Sequence, residues 1–376
     1  MAYFSHFIEK FRRITYSGRY LPEIDGLRFI AICWVVCLAH LGTYIADAVL
    51  QLNNQSSYIH QFLLEGTAGV SFFFIISGFI LSLPFAENKL SKGQPVSLKK
   101  YFLRRVTRLE PTYIITLLLY FLLRVFVFQY ETFGELLPHL GASLLYLHNI
   151  IYNSHSTING VAWSLEVEIQ FYLLMPILAY LYLIKNTSLR RIILLALIIA
   201  GMFYSYAQQY HIAHFGNKAC YFFGGMLLAD LYVLDKKNYQ QRIISFLGLG
   251  LLIAAMFIPG YYASVYWSLA KLACLLIFCW LALNSSGLKK ILSFAPIAII
   301  GGMCYTIYLL HVGVLGVLRH QFAQLVFSNH TWINVSIHVI AALAAILVIS
   351  GVFFLLVEKP TMKRDWYKFN WKKKEA

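Results

Sequence analysis

The chain has 376 residues, of which 60% are hydrophobic and only 12% are charged, and its mean hydropathy is +0.66. A soluble domain needs a more polar surface than this composition supplies, so a soluble fold is excluded and lipid is the expected solvent. The formal charge of +15 would suggest nucleic acid in a soluble protein, but no nucleic-acid partner is expected here because the basic residues follow a membrane topology.

Apolar stretches recur along the whole chain and predict an all-α polytopic membrane protein, a bundle of about ten transmembrane helices. The longer stretches approach or reach the roughly 20 residues that a helix needs to cross the hydrocarbon. The predicted spans are 28–48, 64–85, 109–129, 161–184, 192–208, 217–234, 243–259, 262–283, 297–318 and 332–357.

The basic residues are distributed unevenly between the two sides of these spans. Of the 31 Lys and Arg residues, 27 fall in six clusters at 1–28, 89–108, 185–191, 236–242, 289–290 and 359–374. Because cytosolic loops carry the excess of Lys and Arg, both termini are expected in the cytosol. The chain then divides into a cytosolic or interfacial segment at 1–27, a transmembrane domain at 28–357 and a basic cytosolic tail at 358–376.

The longest break in the apolar pattern is residues 129–160, between the third and fourth spans. Residues 135–150 have mixed polarity, which favours a helix in the outer interface and gives a substrate a route of access. The six cysteines lie in predicted spans without the pairing that metal ligands require, so no metal site is predicted.

Three titratable residues lie within spans, where an ionisable side chain costs several kcal/mol unless it is paired or hydrated. At a rise of about 1.5 Å per residue, His40, Glu168 and His311 all lie roughly 10 Å below the outer ends of their spans. A shared depth predicts one buried site, with a histidine as general base and the carboxylate either fixing the tautomer of that histidine or sharing its charge. The alternative is that each histidine only donates a hydrogen bond to a neighbouring helix.

Polar residues near these three are interpreted more simply. Glu166 is two residues from Glu168 and is expected on roughly the opposite side of the helix, so only one of the two faces the site. Ser77 and Ser164 lack the context of an activated nucleophile and are interpreted as structural.

Five basic residues and no acidic residue occupy 99–108, at the start of the third span. Clustered Lys and Arg bind phosphates, as a CoA-type or nucleotide donor would require. The same cluster is also explained by its effect on topology alone.

Six blocks of sequence together resemble the acyltransferase 3 family of integral membrane O-acyltransferases, in the family's order and over nearly the whole chain. The first block contains Asp25-Gly26-Leu27-Arg28 and runs to His40, with an interval one residue longer than the family pattern. The other blocks are 69–79, 102–111, 162–172, 302–311 and 357–360.

The resemblance implies transfer of an acyl group, expected to be acetyl, from cytosolic acetyl-CoA or another acyl-CoA. The implied acceptor is a hydroxyl of an envelope carbohydrate or a lipid-linked glycan, and the implied location is the bacterial inner membrane. No tightly bound cofactor is expected. His40, Glu168 and His311 are the expected catalytic residues; Arg28, Arg105 and Arg108 are expected at the donor, and Trp163, Ser164, Tyr305 and Tyr308 in the cavity.

Two interpretations from other functional classes remain open. A transporter or flippase of a lipid-linked glycan would also have many spans, and a buried histidine and carboxylate would relay protons. The second interpretation is a non-catalytic membrane partner within a glycan-assembly complex. Within the acyltransferase interpretation, direct transfer and an acyl-histidine intermediate are both compatible with the sequence.

Overall fold

The computed structural model describes residues 10–14, 20–50, 58–208, 213–260, 264–322, 325–363 and 366, so most of the predicted N-terminal segment and basic tail lies outside the described residues. In the described part the regular structure is helical, apart from one isolated bridge between Tyr239 and Ser285. The longer helices are α1 Pro22–Cys33, α2 Tyr58–Leu64, α3 Ala68–Leu90, α4 Leu98–Leu122, α5 Phe133–Leu144, α6 His148–Tyr152, α7 Trp163–Leu178, α8 Thr187–Ala207, α9 Phe215–Leu234, α10 Arg242–Phe257, α11 Val265–Asn284, α12 Ser286–Leu292, α13 Ala295–Gly302, α14 Cys304–Phe322 and α15 Thr331–Phe353. Short π-helical or 3₁₀ segments extend several of them.

Each of the ten predicted spans has a helix at its position, but the helices differ in length and polarity. Among the described residues, seven stretches are long and apolar enough to cross a membrane: Pro22–Asp47, Gln61–Leu90, Leu98–Val127, Gly160–Leu183, Thr187–Ala207, Val265–Asn284 and Thr331–Thr361. The pair α13–α14 adds an eighth if it counts as one bent span. The positions of the predicted helices therefore agree with the structure, whereas a total of ten spans and the orientation of the termini stay predictions.

The first span contains an unusual helical segment at the position of the predicted transfer centre. Residues Trp34–Gly42, which include His40, form a π-helix that directly continues α1. A π-helix closes its hydrogen bonds over one residue more than an α-helix and occurs frequently at functional sites. It is therefore an arrangement that accommodates the additional residue between Arg28 and His40.

Helices α3 and α9 approach each other closely in the middle of the bundle because glycines face each other. A Cβ atom on Gly225 would overlap with the carbonyl oxygen of Ile75, and one on Gly78 would meet the backbone of Phe222. Small residues allow this backbone approach in membrane bundles. The contact fixes α3, which carries one wall of the cavity described below.

The bent pair α13–α14 brings the start of a helix into the interior. The two helices meet at Met303 with an angle of 69°. The side chain of Glu358, at the end of the last span, accepts a hydrogen bond from Thr306 Oγ1 in the first turn of α14. The bend is thus held from a neighbouring span, and it directs Cys304 and Tyr305 towards the cavity.

Large apolar side chains on the outside of the bundle are suited to lipid. Leu173, Ile177, Phe246 and Val348 are each more than 60% exposed. The bundle has two distinguishable ends: we call the end that carries Arg104, Arg105, Arg108 and the loop 91–97 the basic end. The end that carries α5, α6 and the loop 153–159 is called the opposite end.

Candidate functional site

A cavity of about 1160 Å³ lies at the basic end of the bundle and extends inward between α3, α4, α7 and α14. Its outer part is lined by the loop 91–97 and by Thr361, Met362 and Lys363. Its inner part is lined by Ser77, Ser164, Glu168, Tyr172, Cys304, Tyr305 and Tyr308. The volume is at the upper end of the roughly 300–1,000 Å³ typical of small-molecule sites, so a large substrate fits.

The charges around the cavity favour an anionic ligand. Of the described residues that line it, eight are basic and two are acidic. The basic residues are Arg13, Arg28, Lys92, Lys100, Arg104, Arg105, Arg108 and Lys363, and the acidic residues are Glu87 and Glu168. Walls of one sign concentrate the electrostatic potential inside a cleft and raise the local concentration of a ligand of the opposite charge.

Arg105 is oriented by aromatic rings. Its guanidinium carbon lies 3.7 Å from the ring centroid of Tyr101 and 5.5 Å from that of Tyr172, and one of its terminal nitrogens donates to the Tyr101 carbonyl at 2.8 Å. Within the described part of the chain, the Nε atoms of Arg105 and of Arg108 are buried without an acceptor. Both guanidinium groups therefore retain donors for a ligand in the cavity.

Asp25 organises a second group of arginines at the same cavity. Its Oδ1 lies 2.8 Å from Arg28, and its Oδ2 lies 2.9 Å from Nε of Arg13. The Asp25 side chain is fully buried, whereas both arginines line the cavity. One carboxylate thus holds two guanidinium groups in place.

Glu168 lies in the inner part of the cavity with two hydroxyl donors. Its Oε1 accepts hydrogen bonds from Ser77 at 2.5 Å and from Tyr172 at 2.6 Å. Glu166, in contrast, is fully buried and accepts the backbone N–H of Asn149 at 2.9 Å. The predicted separation of the two carboxylates is therefore confirmed.

Tyr308 and Ser164 close the inner part of the cavity. Their side-chain oxygens are 2.8 Å apart, and Tyr308 also donates to the carbonyl of Val161 at 3.2 Å. Tyr305 donates to the carbonyl of Leu109 at 3.1 Å and lines the cavity as well. Trp163 lies behind this wall, since its ring contacts Phe74, which lines the cavity, at a centroid distance of 6.2 Å.

His40 and His311 form a hydrogen-bonded pair beside Tyr308. Nδ1 of His40 lies 2.8 Å from Nε2 of His311, and the ring of His311 lies 5.8 Å from that of Tyr308. Nδ1 of His311 lies 2.8 Å from the carbonyl oxygen of Tyr308 and 3.1 Å from that of Ile307. The pair therefore stands next to the wall of the cavity, and Tyr308 belongs to both.

The hydrogen bonds determine where the protons of this pair lie. A carbonyl oxygen only accepts, so Nδ1 of neutral His311 must carry its proton and Nε2 must be the acceptor. His40 then donates from Nδ1, which leaves its own Nε2 with a free lone pair. The arrangement resembles a base held in one tautomer by a third group, with His311 in the orienting position.

The structure brings two of the three predicted catalytic residues together and separates the third. In the part of the chain that the structure describes, no hydrogen bond joins Glu168 to either histidine, contrary to the expectation that it contacts the imidazole. Ser164 on α7 and Tyr308 on α14 are hydrogen-bonded and so mark one level of the bundle. Glu168 lies four residues from Ser164 towards the basic end, whereas His311 lies three residues from Tyr308 towards the opposite end. These steps place the carboxylate and the histidine roughly 10 Å apart along the bundle axis.

Three contacts at the site were not predicted. Arg13 lies outside every predicted span, and its only signal is the pair of basic residues at 12–13. Ser77 was interpreted as structural, and its hydrogen bond to Glu168 was not predicted. The contact of Tyr172 with Glu168 follows from their spacing of four residues on one helix face, a signal that was available.

The opposite end carries a second histidine pair in the segment predicted to give access. His139 Nδ1 lies 2.9 Å from His148 Nε2, and His148 Nδ1 lies 3.1 Å from the carbonyl of Ser154. Burial lowers the pKa of His148. Among residues 20–50, 58–208, 213–260, 264–322 and 325–363, no group of three His, Cys, Asp or Glu side chains is arranged to hold a metal ion.

Comparisons with known proteins place the chain near membrane acyltransferases. The family model described as an acyltransferase domain matches residues 21–355. The chain is 28% identical over 403 residues to O-acetyltransferase OatA of Staphylococcus aureus, covering 96% of this chain and 60% of the relative. It is 26% identical over 389 residues to peptidoglycan O-acetyltransferase OatA of Listeria monocytogenes, covering 95% of this chain and 58% of the relative.

A more distant similarity extends outside bacteria. Nose resistant to fluoxetine protein 6 of Caenorhabditis elegans is 26% identical over 194 residues, which cover 44% of this chain and 23% of the relative. No solved structure matches the chain. The chain spans about three fifths of the length of the bacterial relatives. The acyltransferase match favours an enzyme over the transporter and the non-catalytic partner.

Proposed function

The chain belongs to the acyltransferase 3 family, and from this membership and the geometry of its cavity we propose a specific activity for this membrane acyltransferase. It moves an acyl group, in the first instance acetyl, from acyl-CoA at the basic end to a carbohydrate hydroxyl that enters from the opposite end. The observation that carries the proposal is the pair formed by His40 and His311, which leaves a free base next to a large basic cavity.

The donor site is the cavity at the basic end. The excess of basic residues at this end supports a cytosolic position for it, because Lys and Arg accumulate on that side. Acetyl-CoA is a cytosolic thioester with several phosphate charges at one end and an acyl group at the other. Arg105 and Arg108, with Arg28 further in, supply donors for the phosphates, and the inner part of the cavity receives the pantetheine arm.

The transfer centre is Nε2 of His40. In direct transfer, Nε2 accepts the proton of the acceptor hydroxyl while the hydroxyl oxygen attacks the acyl carbon. The C–S bond of the thioester then breaks, and the departing CoA thiolate takes up the proton from Nε2. In the covalent route, Nε2 itself attacks the acyl carbon and expels the CoA thiolate. The acceptor oxygen then displaces the imidazole, and the proton of the acceptor hydroxyl passes to the CoA thiolate. Both routes need the tautomer that His311 enforces.

Glu168 acts on the donor side in this proposal, not at the imidazolium. Its Oε1 is held by Ser77 and Tyr172, while Oε2 has no hydrogen-bond partner among the described residues. A carboxylate oxygen in the inner part of the cavity suits the amide N–H groups of a pantetheine arm. Fixing that arm would position the thioester for attack.

The acceptor is proposed to be a glycan of the bacterial cell envelope, and the enzyme to reside in the inner membrane. The support is the relative from Listeria monocytogenes, which is named as a peptidoglycan O-acetyltransferase. Because the chain spans only about three fifths of the bacterial relatives, the acceptor is a proposal about this chain and not a property carried over from them.

Transfer of label from acetyl-CoA to envelope glycans tests the proposed function. Membranes with equal amounts of wild type, His40→Ala or His320→Ala are supplied with radiolabelled acetyl-CoA, and ester-linked label is counted in the glycan fraction. His320 is an exposed histidine on α14, so its replacement is the matched control. The proposal expects label with wild type and His320→Ala and none above background with His40→Ala. Equal label with all three would refute the assignment of His40.

A further inference from the structure

Arg13 is a cavity residue that lies upstream of the family match, which begins at residue 21. Its side chain is only 11% exposed, although the segment 10–14 belongs to no span. The aliphatic part of Arg13 lies against Gly302, at the bend between α13 and α14. The guanidinium group therefore reaches from the N-terminal segment into the site.

The protein balances the charges around Arg13 only in part. Asp25 supplies one carboxylate, which lies beside both Arg13 and Arg28. The buried carboxylate of Glu358 is a second and acts electrostatically on Arg13 and Arg108, so two carboxylates face three guanidinium groups. Of the described side-chain atoms, the buried NH1 group of Arg13 is among those without an acceptor, as is Nε of Arg108. Burial, together with the positive charges of Arg28 and Arg108, lowers the pKa of Arg13 to about 9 despite Asp25.

Such an excess of buried positive charge is costly unless an anion neutralises it. The remaining acidic residues of the cavity wall are Glu87 and Glu168, and neither forms an ion pair with Arg13 among the described contacts. An anionic ligand beside Arg13, Arg28 and Arg108 would neutralise the positive charge that Asp25 and Glu358 leave uncompensated.

We propose that Arg13 binds a phosphate group of the acyl donor, together with Arg28 and Arg108, so that the N-terminal segment completes the donor site. This inference rests on the proposed function, because it takes acyl-CoA as the ligand. The phosphate is either the 3′-phosphate or the diphosphate of CoA, since both present anionic oxygens that a guanidinium group binds.

The terminal segments hold Arg13 in this position. The ring of Phe11 packs against Gly351 of α15, and Nζ of Lys359 donates a hydrogen bond to the carbonyl of Lys10. Residues 10–11 are thus attached to the last span, two residues before the arginine that enters the cavity. A donor bound by Arg13 would in turn stabilise this attachment.

The affinity of purified protein for labelled acetyl-CoA tests the inference. Wild type, Arg13→Ala and Arg12→Ala are compared in the same detergent. Arg12 is exposed and is absent from the described residues that line the cavity, so its replacement removes an equal charge from the same segment. A lost phosphate contact to a charged donor is expected to raise the Kd by about tenfold or more in Arg13→Ala, relative to both other proteins.

Two truncated donors distinguish the loss of a phosphate contact at Arg13 from a distortion of the protein caused by replacing Arg13. With acetyl-dephospho-CoA, loss of the Arg13→Ala effect on kcat/KM assigns the 3′-phosphate, and persistence assigns the diphosphate. With S-acetylpantetheine, which has neither group, Arg13→Ala and wild type should have the same kcat/KM. A defect that persists with S-acetylpantetheine would overturn the inference, because it would mean that Arg13 only maintains the structure.

The shift of the melting temperature by acetyl-CoA gives a second readout. At a given concentration, a ligand that binds the folded protein more tightly stabilises it more, with the logarithm of the ratio of concentration to Kd. The shift should therefore shrink in Arg13→Ala and remain in Arg12→Ala. Arg13→Gln, which keeps a polar side chain, replaces Arg13→Ala if the latter does not fold. Equal Kd values in Arg13 and Arg12 variants would refute the inference, whereas absence of acetyl-CoA binding by wild type would refute the proposed function itself.

Discussion

His311 Nε2 lies 2.8 Å from His40 Nδ1, although 271 residues separate the two histidines in the chain. The carbonyl oxygens of Ile307 and Tyr308 fix the proton of His311 on the other ring nitrogen. His311 therefore presents a lone pair to His40, and the free lone pair of His40 is the one on Nε2. In the proposed function this relationship gives the two histidines different roles: His40 acts at the reacting atoms, and His311 orients the ring of His40.

Replacing His311 should lower the rate without changing donor binding. His311→Leu removes the acceptor for His40 Nδ1–H, and loss of such an orienting contact typically costs about 10- to 100-fold. We expect this loss in kcat, with the KM for acetyl-CoA unchanged. Steady-state kinetics of acetyl transfer by purified protein measures both.

The conservative variant His311→Gln distinguishes orientation from simple packing. Its amide oxygen accepts the same hydrogen bond, so kcat should recover in part. If His311→Gln is as slow as His311→Leu while both fold and bind acetyl-CoA normally, His311 does more than accept a hydrogen bond from His40.

Arg105 should be intolerant of replacement by lysine. Its planar guanidinium group lies against the ring of Tyr101, which an ammonium group does not reproduce. Both Arg105→Ala and Arg105→Lys are expected to raise the KM for acetyl-CoA by about tenfold, with a smaller effect on kcat. Lys99→Ala, an exposed basic residue of the same helix, is the control. Full activity of Arg105→Lys would show that only the charge matters.

Gly301 should tolerate no side chain. A Cβ atom at this position would overlap with the carbonyl oxygen of Asp25, so Gly301→Ala would push α13 away from α1. Overpacking of this kind costs roughly 1–3 kcal/mol, and here backbone would have to move. The melting temperature in detergent should fall, with loss of activity because Asp25 holds both Arg13 and Arg28.

Gly316 provides the matched glycine, since a Cβ atom there meets nothing within 4 Å. Gly316→Ala should leave stability unchanged or raise it slightly, by up to about 1 kcal/mol of helix propensity. A stable, active Gly301→Ala would contradict the close packing of α13 on α1.

Acidification should weaken the opposite end of the bundle through His148. Burial lowers the pKa of this histidine in the folded protein. At pH values below the pKa of an ordinary histidine, the unfolded chain therefore binds more protons than the folded chain. Stability therefore falls as the pH decreases, by at most about 1.4 kcal/mol per pH unit for one group. Thermal unfolding between neutral and acidic pH should show a smaller slope in His148→Asn than in wild type. An equal slope would exclude His148 as the source.

The sequence was sufficient to predict those features that depend only on the position of a residue along a helix. Runs of apolar residues located the helices, and spacing by two residues separated Glu166 from Glu168. Equal depth within the predicted spans brought His40 and His311 into one site, because both residues lie on long helices of the bundle.

The angular positions of side chains around their helices, and the contacts between individual side chains, could not be predicted from the sequence in the same way. The π-helix Trp34–Gly42 changes the angular position of His40 relative to Arg28, which no count at an α-helical period reveals. Glu168 was expected beside the imidazole. It lies one turn of α7 away from Ser164, however, and its carboxylate accepts hydrogen bonds from Ser77 and Tyr172 instead. Arg13 belongs to a segment without periodicity, and only the folded chain brings it to Asp25.

The release of CoA thiol from acetyl-CoA by purified protein tests the central claim most directly. Wild type and His40→Ala are compared in the presence of envelope glycan fragments, with binding of acetyl-CoA measured in parallel. Loss of a catalytic base costs about 10²- to 10⁴-fold, so His40→Ala should bind the donor normally and release thiol at no more than about one hundredth of the wild-type rate. Equal rates of thiol release by the two proteins would contradict a transfer centre at His40.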